Sequence, residues 1–367
     1  MKFSLCMIVK NEENTLRDCL DSVKSVFDEI IIVDTGSIDS TKKICEEYTD
    51  KIYDFMWCDD FAAARNFSFS KATGDFIMWL DADDVVCTQD SQALLELKQN
   101  ITLQTDVVMM KYVTSFDESG NPYYFYYRER LIKRLSGLMW TGFVHEVIPP
   151  SGNIIYEDIS IYHMPKNTAR KDPARNLKIY EKKLSQGCKF TARETYYYAR
   201  ELYYNQRYDS CTKHLEQFLM FPNAWYADKI GACVILYNIY VVNFPQRTTE
   251  ILARALSYDK VNPQILCYMG DEMKKKGNIE QAIFWYNAAL SCPKEYSKDG
   301  FILPEFEAYY PLLQLCVCYD AKGEYDKAKE YNRLAGIERP QSEQVKHNEK
   351  YFASLEEEEI KVQGGEN

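Results

Sequence analysis

Phe76-Ile77-Met78-Trp79-Leu80-Asp81-Ala82-Asp83-Asp84 is an apolar run that ends in clustered carboxylates. A short, continuous apolar run reads as a strand buried on both faces. Its C-terminal tip lies at the edge where open α/β sheets bind their ligands. Paired oxygen ligands there suit a hard divalent cation, Mg or Mn, that also holds phosphates. The same Asp-rich turn also fits a helix cap, with Thr88 and Asp90 beginning the helix that follows. The flanking sequence decides between the two.

Upstream, strand and helix alternate. Residues 3–9 and 29–33 are apolar strand runs, and residues 13–26 place Leu16, Cys19, Leu20 and Val23 on one helical stripe. Thr35-Gly36-Ser37 supplies a turn, and Ser40 or Asp39 caps a helix over 41–48. A short strand over 51–53 and a helix over 61–72 precede Gly74. This order predicts a mostly parallel sheet covered on both faces. From Val107 the pattern changes: runs 107–113 and 123–134 flank a hairpin signal at residues 117–122, and a second hairpin links 144–148 to 154–162. An antiparallel extension is expected there.

After Pro173 strand signals vanish and offsets recur. Tyr208, Ile279 and Tyr325 each stand two residues after Gln206, Gly277 and Gly323. Small residues sit nine before (Ala199, Gly270, Cys316) and three after (Cys211, Ala282, Ala328), and Pro222, Pro293 and Pro340 close the units. This resembles the tetratricopeptide repeat, in which small residues let paired helices approach closely. A degenerate copy is expected over 224–263 and an insertion over 294–304. The fold class is therefore α/β followed by all-α, divided at 1–175, 176–343 and an acidic tail, 344–367.

Composition removes other classes. A net charge of −11 disfavours nucleic-acid and anionic-membrane binding, and no apolar run spans a bilayer. The apolar start runs into Lys10-Asn11-Glu12-Glu13 with no small-residue cleavage site, so it reads as a strand and not a leader. Twelve scattered cysteines without a Cys-x-x-Cys pair, and four distant histidines, form no zinc set. Free thiols in these numbers fit a cytoplasmic protein, with each cysteine used as a small core residue.

Polar groups recur at the strand tips. The first strand ends in Val9-Lys10-Asn11-Glu12, the second in Asp34-Thr35-Gly36-Ser37-Ile38-Asp39, and the helix at 61–72 carries Arg65-Asn66. No glycine-rich loop follows the first strand, which disfavours a Rossmann dinucleotide site and a P-loop. With Asp81 and Asp83, these tips would line one crevice, where Arg65 is suited to offset diphosphate charge.

Taken in order, Asn-Glu, Asp-x-Gly-Ser-x-Asp, Arg-Asn and Asp-x-Asp over residues 4–84 resemble the family 2 glycosyltransferases of the GT-A fold. Trp140-x-Gly142-x-Val144-His145-Glu146 and Tyr162-His163 are similar to the branch fused to tetratricopeptide repeats, which includes sublancin-type peptide S-glycosyltransferases. The likeness covers about the first 180 residues. It implies a UDP-sugar donor, with Asp34 at the uracil or ribose beside the tip of Val9, Asn11 and Glu12. It also implies Arg65 at the base or diphosphate, Asp81 at the ribose or sugar, and Asp83 on Mn or Mg. Asp39 is either a cap or a ligand, Glu12 either a first-turn residue or part of the site, and Asn66 either a ligand or a partner of buried backbone.

An inverting transfer needs a base to take the acceptor's proton. Glu146 is the candidate, and His145, alternating with it on a strand, should face the other way, so that one of the two is structural. His163 is either a further metal ligand or a satisfied histidine. The aromatic run 123–127 either stacks on sugars or packs. The helical repeats would grip a peptide or protein acceptor, or mediate self-association. Two alternatives stand beside this reading: transfer to a cell-surface glycan precursor, and a non-catalytic scaffold with a degenerate nucleotide-sugar fold.

Overall fold

Alternate residues of β1 (Phe3–Val9) enter two different cores, which is why the strand is apolar apart from Ser4. Phe3, Leu5, Met7 and Val9 pack with Leu16, Cys19, Leu20 and Val23 of α1 (Leu16–Val23). Cys6 packs on the other face with Ile31, Ala72 and Ile77. The computed structural model describes residues 1–117, 120, 122–166, 172–258, 262–293 and 303–364, with residues 358–364 by backbone alone. The hairpin tip at 118, 119 and 121 and most of the expected insertion at 294–304 lie outside them. The chain divides into two compact units, Met1–His214 and Leu215–Asn367.

In the first unit β1, β2 (Glu29–Asp34), β3 (Ile52–Asp54) and β4 (Phe76–Trp79) run parallel, with α2 (Thr41–Cys45) and α3 (Phe61–Phe69) between them. With β5 (Asp84–Val85), β6 (Val107–Phe116), β7 (Pro122–Lys133) and β8 (Ile154–His163), the sheet order is β3-β2-β1-β4-β7-β6-β8-β5. Since β2 and β4 flank β1 on opposite sides, a crevice opens at the C-terminal ends of β1 and β4. That switch point places Asn11 and Glu12 opposite Asp81.

Beyond β4 the sheet is mixed. β6 (Val107–Phe116) and β7 (Pro122–Lys133) are antiparallel, and β7 is antiparallel to β4. β8 (Ile154–His163) is parallel to β6, so the extension is not antiparallel throughout. The expected strand at 144–148 is absent. Gly142 (φ +94°) and His145 (φ +54°) turn the chain into a loop, which a mutual backbone pair between Thr141 and Val147 closes at 2.9 and 3.1 Å. Two left-handed residues so close together are incompatible with an extended run. β5 (Asp84–Val85) pairs with the end of β8, and α4 (Thr88–Asn100) follows with Thr88 and Asp90 in its first turn. α5 (Arg175–Ser185) and α6 (Ala192–Tyr204) complete this unit, and α7 (Tyr208–Phe218) crosses its boundary.

The second unit holds α8 (Tyr226–Asn243), α9 (Thr248–Leu256), α10 (Pro263–Lys275), α11 (Ile279–Leu290), α12 (Tyr309–Ala321), α13 (Tyr325–Glu338) and α14 (Glu343–Gly364). The helix pair α8–α9 occupies the degenerate repeat interval. Gly277 and Gly323 turn their pairs with φ of +76° and +73°, and Gln206 in the preceding unit takes the same position at +60°. Cys211, Ala282 and Ala328 are buried, as the recurring offsets require, and Ala289 and Ala335 are buried farther along the same helices. The segment set off as an acidic tail begins as a packed helix, with Val345 and Phe352 buried against Ala335 and Ala328.

A Cβ on Gly270 would lie 2.6 Å from the Tyr286 ring, which is fully buried and tied by its hydroxyl to Asp271 at 2.6 Å. Gly→Ala in a helix interior ordinarily gains about 1 kcal/mol. Here overpacking should win, and Gly270→Ala should destabilise the helical unit by about 1–3 kcal/mol in chemical denaturation. A neutral or stabilising result would show that the ring can retreat.

Among the described residues no helix is long and apolar enough to cross a membrane. The cysteines are unpaired, and Cys58 and Cys87 are exposed rather than in the core.

Candidate active site

Arg65, on the buried side of α3, joins two carboxylates that are far apart in sequence. Its Nη2 donates to Asp81 Oδ1 and its Nε to Glu146 Oε1, both at 2.7 Å. The indoles of Trp79 and Trp140 flank the guanidinium at 5.0 and 4.8 Å. The side chains of Arg65 and Glu146 are 8% and 11% exposed, whereas that of Asp81 is 35% exposed and forms the open end of the bridge. Burial alone would raise the Asp81 carboxyl, but Arg65 and then Arg130 outweigh it and hold it below the usual range.

Asp83, Asp84 and His163 form a second cluster, each offering one ligand atom within 4.8 Å of the others. His163 Nδ1 lies 3.6 Å from Asp83 Oδ1, 3.9 Å from Asp84 Oδ1 and 3.1 Å from the Tyr112 hydroxyl. The two carboxylates, Asp83 first, push the imidazole up to about 10. Asp84 is fully buried: its Oδ2 accepts from the Asp81 amide at 3.0 Å and from Arg130 at 2.9 Å. Its Oδ1 is buried without a hydrogen-bond partner. Cis ligands around a six-coordinate ion at about 2.1 Å stand about 3 Å apart, so a modest contraction would seat a divalent cation on this set. The orphaned Asp84 oxygen fits that use. So does Glu12, whose carboxyl is raised by burial and by the charges of Asp83, Asp81 and Asp39, against the Thr15 hydroxyl.

At the other tips, side chains build the turns. Asp34 is buried, and its carboxylate accepts from the Gly36 and Ser37 amides at 3.1–3.3 Å and from the Ser37 hydroxyl at 2.5 Å. Asn11 (φ +58°) receives the Ile38 amide at 2.8 Å and gives its own amide to Ser37. The Val9 carbonyl accepts from Thr35. Asp39 caps α2 through the amide and hydroxyl of Thr41. These contacts weld the β1 and β2 tips into one rim. Asn66 pairs with both the amide and the carbonyl of Trp140, at 2.9 and 3.0 Å, and so holds down the loop that carries Glu146.

The structure brings Glu146, and not His145, to Asp81. His145 turns toward α6, where Nε2 meets Glu201 at 2.7 Å and its ring stacks on Tyr197 at 4.6 Å. Burial lowers its pKa despite Glu201. The two residues do face apart, through a left-handed φ rather than strand alternation. Sequence reading passed over Asp84, Tyr112 and Arg130. A signal existed in Arg128-Glu129-Arg130, charges set in an apolar strand: Arg130 lies 3.8 Å over the Trp79 ring, and Arg128 pairs with Glu129.

Residues 4–150 match the family model Glycosyl transferase family 2. A TPR repeat-containing protein of Synechococcus elongatus is 52% identical over 81 residues, covering 22% of this chain and 20% of that protein. The SPbeta prophage-derived glycosyltransferase SunS of Bacillus subtilis is 28% identical over 191 residues, covering 48% of this chain and 44% of SunS. The matched portion is thus less than half of each relative. Among solved structures, S. aureus TarS 1–349 in complex with UDP-GlcNAc aligns at 14% identity and a TM-score of 0.37, covering 94% of this chain and 93% of that one. Residues 4–150 of this chain form a glycosyl transferase family 2 domain.

Proposed function

We propose that the chain is a metal-dependent, inverting glycosyltransferase that moves a sugar from a UDP-linked donor to a peptide or protein acceptor. The observation that carries this reading is the adjacency of two groups at the switch point: the Asp81–Arg65–Glu146 bridge and the Asp83–Asp84–His163 cluster. Asp83, Asp84 and His163 would hold Mn or Mg, which when bound supplies Lewis-acid stabilisation of the departing UDP. Asp81, the exposed end of the bridge, faces the donor's ribose or sugar. Val9, Asn11, Asp34 and Asp39 shape the rim for the nucleotide, with Glu12 beside the cation cluster and Asn66 as a positioning residue.

Glu146 is the base. As the acceptor atom attacks the anomeric carbon, its proton passes to Glu146, the new bond forms, and the bond to UDP oxygen breaks with its electron pair leaving on UDP. Arg65 holds Glu146 oriented for that transfer. Residues 1–175 form the catalytic domain in this reading, and the helical repeats of 176–343 grip the acceptor in the cytoplasm.

Titrating UDP into the protein by calorimetry, with Mn and then with excess chelator, tests the proposal. Binding should weaken at least about tenfold without the ion, because phosphate charge then meets bare carboxylates. UDP affinity indifferent to metal, together with no hydrolysis of any UDP-sugar, would reject it.

A further inference from the structure

An arc of aromatic rings runs from the cation cluster toward α6. His163 lies 5.8 Å from the Tyr112 ring, Tyr112 lies 5.7 Å from Tyr126, and Tyr126 lies 6.1 Å from Tyr124. The Tyr124 phenol, raised by burial and Tyr126, is within electrostatic reach of both Arg200 and Tyr197. Tyr197 in turn stacks on His145, the residue before Glu146. At the α6 end Arg193 and Arg200 both stand against the Tyr197 ring, at 4.4 and 5.0 Å, and Arg193 gives its Nη2 to the His145 carbonyl.

Tyr196, Tyr197 and Tyr204 are four and three residues before Arg200 and four after it, so they share its helix face. Its guanidinium lies 5.6, 5.0 and 5.8 Å from their rings, and it donates to the Tyr204 hydroxyl at 3.1 Å. Among the described residues no carboxylate pairs with it. Its neighbours differ: Arg65 holds Asp81 and Glu146, Arg128 holds Glu129, and Arg130 holds Asp84. A half-buried guanidinium recovers part of its lost hydration from aromatic faces, and an anion supplies the rest.

On the transferase reading above, we propose that Arg200 and its tyrosines bind a carboxylate on the acceptor, an acidic side chain of a peptide close to the atom that receives the sugar. The forked Arg200 guanidinium matches a planar carboxylate. The chain's net charge of −11 costs a phosphate dianion more than a carboxylate monoanion. The tyrosine faces give the peptide's apolar atoms a surface to lie on.

The test uses the full chain with UDP and Mn, and a fluorescein-labelled hexapeptide, acetylated and amidated, with one Asp beside a Ser-Cys pair. Asn and phosphoserine versions serve as comparators, and fluorescence anisotropy reads binding. The Asp peptide should bind at least about tenfold tighter than the Asn peptide. Arg200→Met should bring that ratio to about one, while Arg200→Lys, with charge but no fork, should keep about threefold. Melting temperatures of both variants separate loss of fold from loss of the cation. No Asp preference in the wild type, or one that survives in Arg200→Met, overturns the proposal. A phosphopeptide that binds tightest overturns the carboxylate and assigns the site to phosphate. If the wild type binds UDP and Mn but shows no Asp preference, the acceptor inference alone fails. If it binds neither, the transferase reading fails.

Discussion

Asp83→Asn should cut turnover at least about a thousandfold and abolish the metal dependence of UDP binding. The amide keeps the side chain's shape but removes a negative charge from the Asp83–Asp84–His163 cluster. Stability should hardly change, because the Asp83 side chain is 27% exposed and its ion-pair partner is His163, itself 34% exposed. Asp84→Asn provides the contrast. Asp84 and Arg130 are both fully buried, and breaking one side of such a pair typically costs about 3–5 kcal/mol. Mn titration followed by electron paramagnetic resonance, with thermal melting alongside, separates the two. If Asp83→Asn still binds Mn and UDP like the wild type, the cluster is not the metal site. A melting temperature that falls as far as in Asp84→Asn would instead mark Asp83 as structural.

The parts of this site that can be read from sequence are those where local pattern and topology coincide. Apolar runs ending in Asn11-Glu12, Asp34 and Asp81 name strand tips, and a βαβα order puts parallel tips on one edge. What stays hidden depends on contacts across long stretches of chain. Arg65 and Glu146 are 81 residues apart, and their pairing needs the 140–148 loop that Asn66 holds by the Trp140 backbone. The apolar and aromatic spacing of 144–148 resembles a strand, but the left-handed backbone of His145 is stabilised by α6, which no local pattern reveals. Asp84 shows the same limit at small scale. Its two-residue strand is too short for periodicity, yet its pairing with His163 assembles the cluster. The helical repeats are the opposite case: buried alanines and left-handed turn residues recur at fixed offsets, so the pattern is local and legible.

Glu146→Gln should lower the rate of transfer by about a hundred- to ten-thousandfold, the range a positioned general base contributes. The geometry favours a clean comparison. Glutamine's carbonyl oxygen can still accept from Arg65 Nε, so the loop should stay in place, and Arg65 keeps its 2.7 Å bond to Asp81. What disappears is the lone carboxylate charge able to take a proton on the acceptor side. UDP affinity in the presence of Mn should therefore remain within about twofold of the wild type. A collapse of UDP affinity would place Glu146 in the donor site and leave the reaction without this base. The acceptor supplies a further check. A thiol ionises far more readily than a hydroxyl, so the defect should shrink when the accepting atom is sulfur and be largest when it is oxygen. Equal losses with both acceptors would mean that Glu146 acts by charge or position and not by removing the proton.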